Sequence, residues 1–409
     1  MWKGARLPFT SLLSPSLEQR GRLMSFLDTL PVTIMQWLRA TLNLYLPAWG
    51  SEFVVALVKV LLALVIGVMP VIVFTWMERK VLARGQDRFG PNVAGPYGVI
   101  VALADAVKIL TKEDVIPARA DRLAFRLAPA LILIPALLVI AVIPFGRGAV
   151  AADLDVGILY VVAMGSVTVL AVLTASWSSA NKYSLVSAFR AVAQLVSYEV
   201  PMAFALLAVV LVSGGLSTVR IVEAQVVPFA LTMPVAAVTY FLCALAEANR
   251  SPFDLLEGES ELVAGFNLEY SGMKFAMVYI AEYLHIFLIG ALTTTLFLGG
   301  YRGPILPGWL WFFAKSLFIV FVVLWIRTTW PRMRIDHLLN FAWKFLVPLG
   351  MVNLLLIALV YKITTNAYLA AGLSLLANLA LLAVVGAGLV AWARRSKSRR
   401  MRALLLGEV

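Results

Sequence analysis

The sequence predicts an all-α protein, a polytopic bundle of membrane-spanning helices, and three observations carry that prediction. The chain of 409 residues is 62% hydrophobic and only 14% charged, where a soluble globular chain averages about 45–50% apolar and about 25% charged. Its mean hydropathy is +0.91. Its apolar residues gather into nine stretches long enough to span, since a hydrocarbon core of about 30 Å asks for roughly 20 helical residues. No stretch between them is large enough for a soluble domain, so a length that could hold two or three such domains goes into one bundle.

The elements follow in order. Residues 1–52 form a Ser-, Pro- and Arg-containing tail without the continuous apolar run of a secretory signal, and within it Ile34–Leu46 reads as an interfacial helix. Residues 53–361 are the membrane domain. Its first span, 53–77, leads into a loop, 78–123, with structure of its own. There Val99, Ile100, Leu103, Val107 and Leu110 fall within about 100° of one helical face, and Asp105, Lys108 and Lys112 fall opposite. A helix this short, rising about 1.5 Å per residue, cannot cross a bilayer. It is expected to lie amphipathically at the membrane surface.

The second and third spans are 124–145 and 156–177, and the fourth and fifth, 197–213 and 229–246, are the shortest. Pro201 has no N–H for the carbonyl of Ser197, so the fourth helix is expected to kink or to begin there. The sixth span is 275–298, and 309–326 and 343–361 complete a core of eight. Residues 362–409 add a ninth span, 368–393, and a tail with six basic residues among 394–402. No internal repeat is evident.

Lys and Arg counts orient the bundle. With the amino terminus outside, the inside loops carry 21 basic residues and the outside loops four, Arg147, Arg220, Arg302 and Lys362. Basic residues in short loops stay in the cytoplasm, which predicts N-out and C-in. The net charge of +12 therefore points to anionic lipid rather than to nucleic acid.

Scarce residues narrow the chemistry. One cysteine, Cys243, excludes a disulfide framework and a thiolate-bound cluster within the chain. His285 and His337 fall in different segments, against bis-histidine haem or a dedicated zinc site. No G-x-G-x-x-G or Walker A pattern occurs. Chemistry must come from carboxylates, arginines and backbone.

Seven of the 22 acids lie between Glu247 and Glu282: Glu247, Asp254, Glu257, Glu259, Glu261, Glu269 and Glu282. The loop 247–274 has a net charge of −4, whereas every other inside loop is neutral or basic. A charge run is most often a solvated face. Here Glu257, Glu259 and Glu261 alternate within an apolar stretch, and crowded carboxylates near low dielectric acquire raised, coupled pKa values suited to proton uptake and release. Glu199 beside Pro201, Glu282 two turns into the sixth span with His285 on its face, and Glu78 ending the first span are further membrane-depth acids. Each costs roughly 2.5–3.5 kcal/mol at the bilayer centre, which marks such positions as functional unless a nearby Arg or Lys pairs with them. Lys59 and Lys315 read as snorkelling stems, and His285 alone as a hydrogen-bonded core residue.

These stretches resemble one family. The run WMERK at 76–80, continuing as VLARGQDRFGPN, is similar to the segment after the first span of the H subunit of proton-pumping NADH:quinone oxidoreductase, respiratory complex I. ADAVKILTKED at 104–114, SANKYSLVSAFRAVAQLVSYEVP at 179–201, AEANRSPFDLLEGESELVAGFNLEYSGMKF at 246–275 and WPRMRIDHLLNFAWK at 330–344 resemble further blocks, in family order from about 53 to 361. The resemblance implies a membrane component that binds no cofactor itself. It takes quinone as substrate and docks on cluster-bearing and quinone-site soluble subunits, beside small membrane subunits, with FMN and iron–sulfur clusters carried by partner subunits. It implies that Glu78, Arg79, Arg84, Asp105, Lys108, Arg250, Asp254 and Arg332 line or brace the quinone path. Glu199, Glu247, Glu257, Glu259, Glu261 and Glu282 would couple quinone reduction to proton translocation, and the membrane would be the bacterial plasma membrane.

Departures from the family pattern are Val101 in place of a usual glutamine, and Ser176 and Ala180 within the block around Lys182. The amino-terminal tail is longer than usual, as a misassigned start codon would make it. Three other readings remain open: the equivalent component of a hydrogenase-, formate- or ferredoxin-linked ion pump, a free-standing proton-coupled transporter, and a purely structural anchor. A transporter would be expected to show an inverted repeat.

Overall fold

The computed structural model describes residues 15–256, 261, 263–304, 306–364 and 366–406, with side chains described between 28 and 391 except 367 and 389. The amino-terminal helix α1 (Pro15–Tyr45) contains the expected interfacial segment within a longer element, and α2 (Ala48–Gly85) is the first span. The surface helix α3 is Ile100–Leu110. The bundle continues with α4 (Arg122–Ile140), α5 (Gly157–Ser178), α6 (Lys182–Ser213), a short α7 (Thr218–Ala224) and α8 (Pro234–Glu247). It closes with α9 (Gly272–Phe297), α10 (Gly308–Thr329), α11 (Ile335–Ile363) and α12 (Ala367–Leu406).

Each of the nine apolar stretches holds a helix, the second ending at Ile140. Among the described residues eight helices, α2, α4, α5, α6, α9, α10, α11 and α12, are long and apolar enough to cross a membrane. The remaining one, α8, has 14 residues, about 21 Å at 1.5 Å per residue, and falls short of the hydrocarbon thickness. Residues 248–256, which follow it, are therefore non-helical close to the bundle interior. It stays viable because Arg250, Phe253, Leu255 and Leu256 are buried in protein rather than in lipid.

One boundary needs correction. The fourth span does not begin at Pro201: α6 starts at Lys182, capped by the Asn181 side chain accepting from the Tyr183 N–H at 2.9 Å, and carries Pro201 within it on the way to Ser213. Its first half escaped a hydropathy reading because one face is polar for a reason. Ser187 donates to the Leu256 carbonyl at 2.6 Å, Ser184 to Phe266 at 3.2 Å and Gln194 to Ala246 at 2.8 Å. These side chains satisfy carbonyls of the last turn of α8 and of the segment that follows it.

The core gathers around α9, whose most apolar window is 67% buried against 17% for α2 and for α12, which present Leu, Val and Phe to lipid. Between lipid-bathed helices association rests on close packing, because lipid tails are as apolar as leucine. Small residues provide it. A Cβ built on Gly67 would come 2.5 Å from the Ile140 side chain, and one on Gly290 2.6 Å from the backbone oxygen of Ser316. Lys315 is no snorkelling stem. Its ammonium donates to the carbonyls of Leu298, Gly300 and Arg302 at 2.7–3.0 Å, closing the α9–α10 connection.

Connections segregate to two ends. At one, Thr218 donates to Val142, Gln225 to Thr295, and Asp28 of α1 accepts from the Gly308 N–H at the start of α10. At the other, Ser271 bonds both Glu113 and Val115, Lys274 pairs with Asp114 at 2.9 Å, and Met333 N–H donates to Pro252. The acidic loop lies at this second end. Gly290→Ala is expected to lower stability by about 1–3 kcal/mol through overpacking, read as a lower thermal midpoint in detergent. Gly386→Ala, with no atom within 4 Å of the added Cβ, is the control and should leave the midpoint unchanged or raise it.

Candidate functional site

The acids and arginines singled out by sequence resolve into two neighbourhoods. The first is a buried ion cluster at the acidic-loop end. Glu78, in the last turns of α2, accepts from Arg327 of α10 and lies 3.7 Å from Arg250, on the turn after α8. Arg250 in turn lies 3.8 Å from Glu282 of α9, and its guanidinium sits 4.8 Å above the Tyr283 ring. Glu78 and Arg250 are each only 7% exposed at the side chain. Two carboxylates and two guanidiniums balance, which is the condition under which charge tolerates burial. Glu78 thus pairs with remote arginines rather than with its neighbours Arg79 and Lys80.

Beside it, Arg79 reaches Asp105 of α3 at 2.6 Å, and Lys108 reaches the same carboxylate at 2.9 Å. Burial alone would raise the Asp105 carboxyl; hydrogen bonds and charge from Lys108 and Arg79 outweigh it and hold it below the usual range. That clamp fixes the polar face of α3 to α2. Ile100, Leu103, Val107 and Leu110, the opposite face, are all about half exposed, as an interfacial helix requires. The Trp76 indole donates to the Tyr97 carbonyl at 3.0 Å and ties the connecting loop to α2.

The second neighbourhood lies deeper. The Glu247 carboxylate closes α8 against α5 at Gly165, where a Cβ would come within 2.8 Å of its Oε1. Glu199, midway along α6, accepts from Ser166 at 3.5 Å, one residue on from Gly165. The two carboxylates are close enough for their charges to act on each other. Glu247 lines a cavity of about 50 Å³ shared with Tyr240, Thr168 and His285.

The grouping differs from expectation. Glu282, expected among the coupling acids, belongs to the Glu78–Arg250 cluster. Glu261 departs from the raised, coupled behaviour expected of crowded acids. It pairs with Arg190 of α6 at 2.6 Å, and that hydrogen bond and charge, with Arg332 and Arg334 adding to it, hold its carboxyl below the ordinary range. Glu269 accepts from Asn181 at 2.6 Å. Glu257 and Glu259 lie outside the described residues. Arg84 is exposed and makes no ion pair with a described residue. Asp254 is half-buried, and Arg332 brings Nε and Nη2 into the interior without a hydrogen-bond partner among the described residues.

Sequence reasoning missed several participants. Arg327 counted only toward orientation, although a lone arginine ending a span is itself a signal for a buried acid partner. Nothing in the sequence singles out Tyr279 and Tyr283, whose hydroxyls meet at 3.1 Å, or Ser166, Gly165 and Arg190.

Ionised side chains held inside a lipid-facing helix bundle, with Glu247 and His285 on the wall of a largely apolar cavity, define a multi-pass membrane protein with charge buried in its interior. The chain belongs to the NADH dehydrogenase family, whose model matches residues 58–358. It is 50% identical over 291 residues to the H subunit of NADH-quinone oxidoreductase from Dehalococcoides mccartyi, covering 71% of this chain and 82% of the relative. It is 43% identical to the like-named protein of Geobacillus kaustophilus over 332 residues, 80% of this chain and 98% of that one. To the second H-type protein of the same enzyme in Syntrophobacter fumaroxidans it is 43% identical over 317 residues, 75% and 96% of the two chains.

The Arg190–Glu261 pair makes a pH prediction. A carboxyl held low in the folded state stabilises above its unfolded pKa of about 4.3, and that contribution is lost as pH falls through the depressed folded value. The gap in thermal midpoint between wild type and Arg190→Gln should be constant from about pH 8 to 5 and close below about pH 4.

Proposed function

We propose that this chain is the membrane subunit of a proton-translocating NADH:quinone oxidoreductase, forming the quinone-access chamber and coupling quinone reduction to proton translocation. The observation that carries the reading is the set of polar groups held within one apolar bundle: the Arg79–Asp105 clamp behind the half-exposed apolar face of α3, the buried Glu78–Arg250–Glu282 cluster, and Glu247 at the cavity. The names of the relatives favour this enzyme over a hydrogenase-, formate- or ferredoxin-linked counterpart. A free-standing transporter has no support from them.

A hydrophobic quinone enters from the bilayer between α2 and α3, along apolar side chains, and its ring reaches the polar acidic-loop end. There Arg79, Asp105, Lys108, Arg250, Asp254 and Arg332 line or brace its path, with Glu78 neutralising Arg250 and Arg84 at the outer margin. Cluster-bearing and quinone-site soluble subunits dock on loops 78–123 and 247–274, and electrons come from partner subunits that carry FMN and iron–sulfur clusters. This chain holds the quinone and answers the charge its reduction creates.

The size of that answer follows from Coulomb's law. A unit charge about 10 Å away, in an effective dielectric of about 20, is worth about 1.7 kcal/mol, a more than tenfold change in proton affinity. Arg250, held between two carboxylates, transmits such a change by shifting its balance between them. Glu199 and Glu247 then take up and release protons within the membrane, and Glu257, Glu259 and Glu261 complete the acidic set toward the loop. The basic inside loops place this end at the cytoplasmic face of a bacterial plasma membrane, with the amino terminus outside. Residues 53–361 perform the coupling; 1–52 and 362–409 are peripheral to it.

Glu199→Gln in the assembled complex should lower proton translocation about tenfold or more, measured as acidification of sealed inside-out vesicles on NADH addition. Pumping and quinone reduction both at wild-type levels would remove Glu199 from the path. In mild detergent the chain should co-purify with flavin- and iron–sulfur-bearing subunits, and recovery of the chain alone would count against the reading.

A further inference from the structure

We propose that His285 is a proton station between the Arg250-centred cluster and Glu247, acting across the internal cavity; the inference rests on the reading of Glu199 and Glu247 as coupling residues. His285 lies on α9 one turn beyond Glu282, on the same face. The charge of Arg250 reaches it from the cluster side. On its other side it lines the cavity of about 50 Å³ at whose wall Glu247 also stands. His285 thus borders both neighbourhoods.

The cavity wall makes it the natural intermediary. Among the residues lining the cavity, only Tyr240, Glu247 and His285 have ionisable side chains; α4 and α6 present apolar groups, and α5 adds the hydroxyl of Thr168. From the remaining neighbours, Glu282 and Tyr283 on its own helix, Arg250 on the turn after α8 and Glu78 on α2 set the charge it meets. His285 and Glu247 therefore face one shared, largely apolar space, in which they are two of three ionisable groups.

An imidazole suits the position for a reason that arginine and lysine do not share. Neutral histidine accepts a proton at one ring nitrogen and releases another from the opposite nitrogen, and a ring flip or return transfer resets the tautomer.

His285→Gln and His285→Asn keep polarity and approximate size but have no second ring nitrogen through which to relay a proton. In sealed vesicles, normalised to assembled complex, both should slow NADH-driven proton translocation about tenfold or more, with fewer protons moved per quinone reduced. A merely structural role would be rescued by these replacements. A wild-type rate in either variant overturns the proposal, as does a reduced rate with an unchanged number of protons per quinone. Glu199→Gln is measured in parallel. If it also pumps normally, the parent reading falls; if it fails while the histidine variants pump at the wild-type rate, only the histidine station is lost.

Discussion

The burial of Arg250 between Glu78 and Glu282 is the interaction on which the rest of the structure depends. Removing one ion from water costs several kcal/mol even after the surroundings relax, and a single partner rarely offsets that. Here the partners come from α2 and α9, and Arg327 of α10 completes the balance at Glu78. The cluster can form only where these helices converge on the turn after α8, so their relative positions and the path of that turn are one problem with one solution. Replacing any member by an apolar residue would leave an uncompensated charge in the interior.

The short α8 is the other half of that solution. A helix of 14 residues ends before the bilayer does, and lipid gives unpaired backbone no hydrogen bonds. The polar face of α6 meets that need with Ser184, Ser187 and Gln194. It also carries Glu199 along the same helix toward α5, where Ser166 and Gly165 bring it near Glu247. A structural requirement of membrane folding has placed a carboxylate pair beside a cavity, so the stabilising and the protonatable parts share one scaffold.

Much of the fold was legible in the sequence because hydropathy records the solvent directly. Nine apolar stretches became nine helical segments, and the period of α3 announced a surface helix whose apolar side is indeed open. The reading failed where a helix is polar on purpose: the first half of α6 looked like a loop because its hydroxyls serve another segment's carbonyls. Lys315 looked like a snorkelling stem because three carbonyl partners from residues 298–302 are invisible to a count of charges. The acids of the loop were visible as a group, but Glu261 and Glu269 are matched by Arg190 and Asn181 near the start of α6, a pairing that no spacing reveals.

By itself the sequence determined a membrane bundle, its spans and its store of buried acids. Those properties belong to single residues and their near neighbours in the chain, where transfer free energy and helical period act. Only the tertiary structure decided which acid meets which arginine. It put Glu282 with Glu78 rather than with Glu247, and it set His285 at the edge of both neighbourhoods. Electrostatic interaction depends on distance and dielectric between side chains far apart in sequence, and those are quantities the packed bundle alone defines.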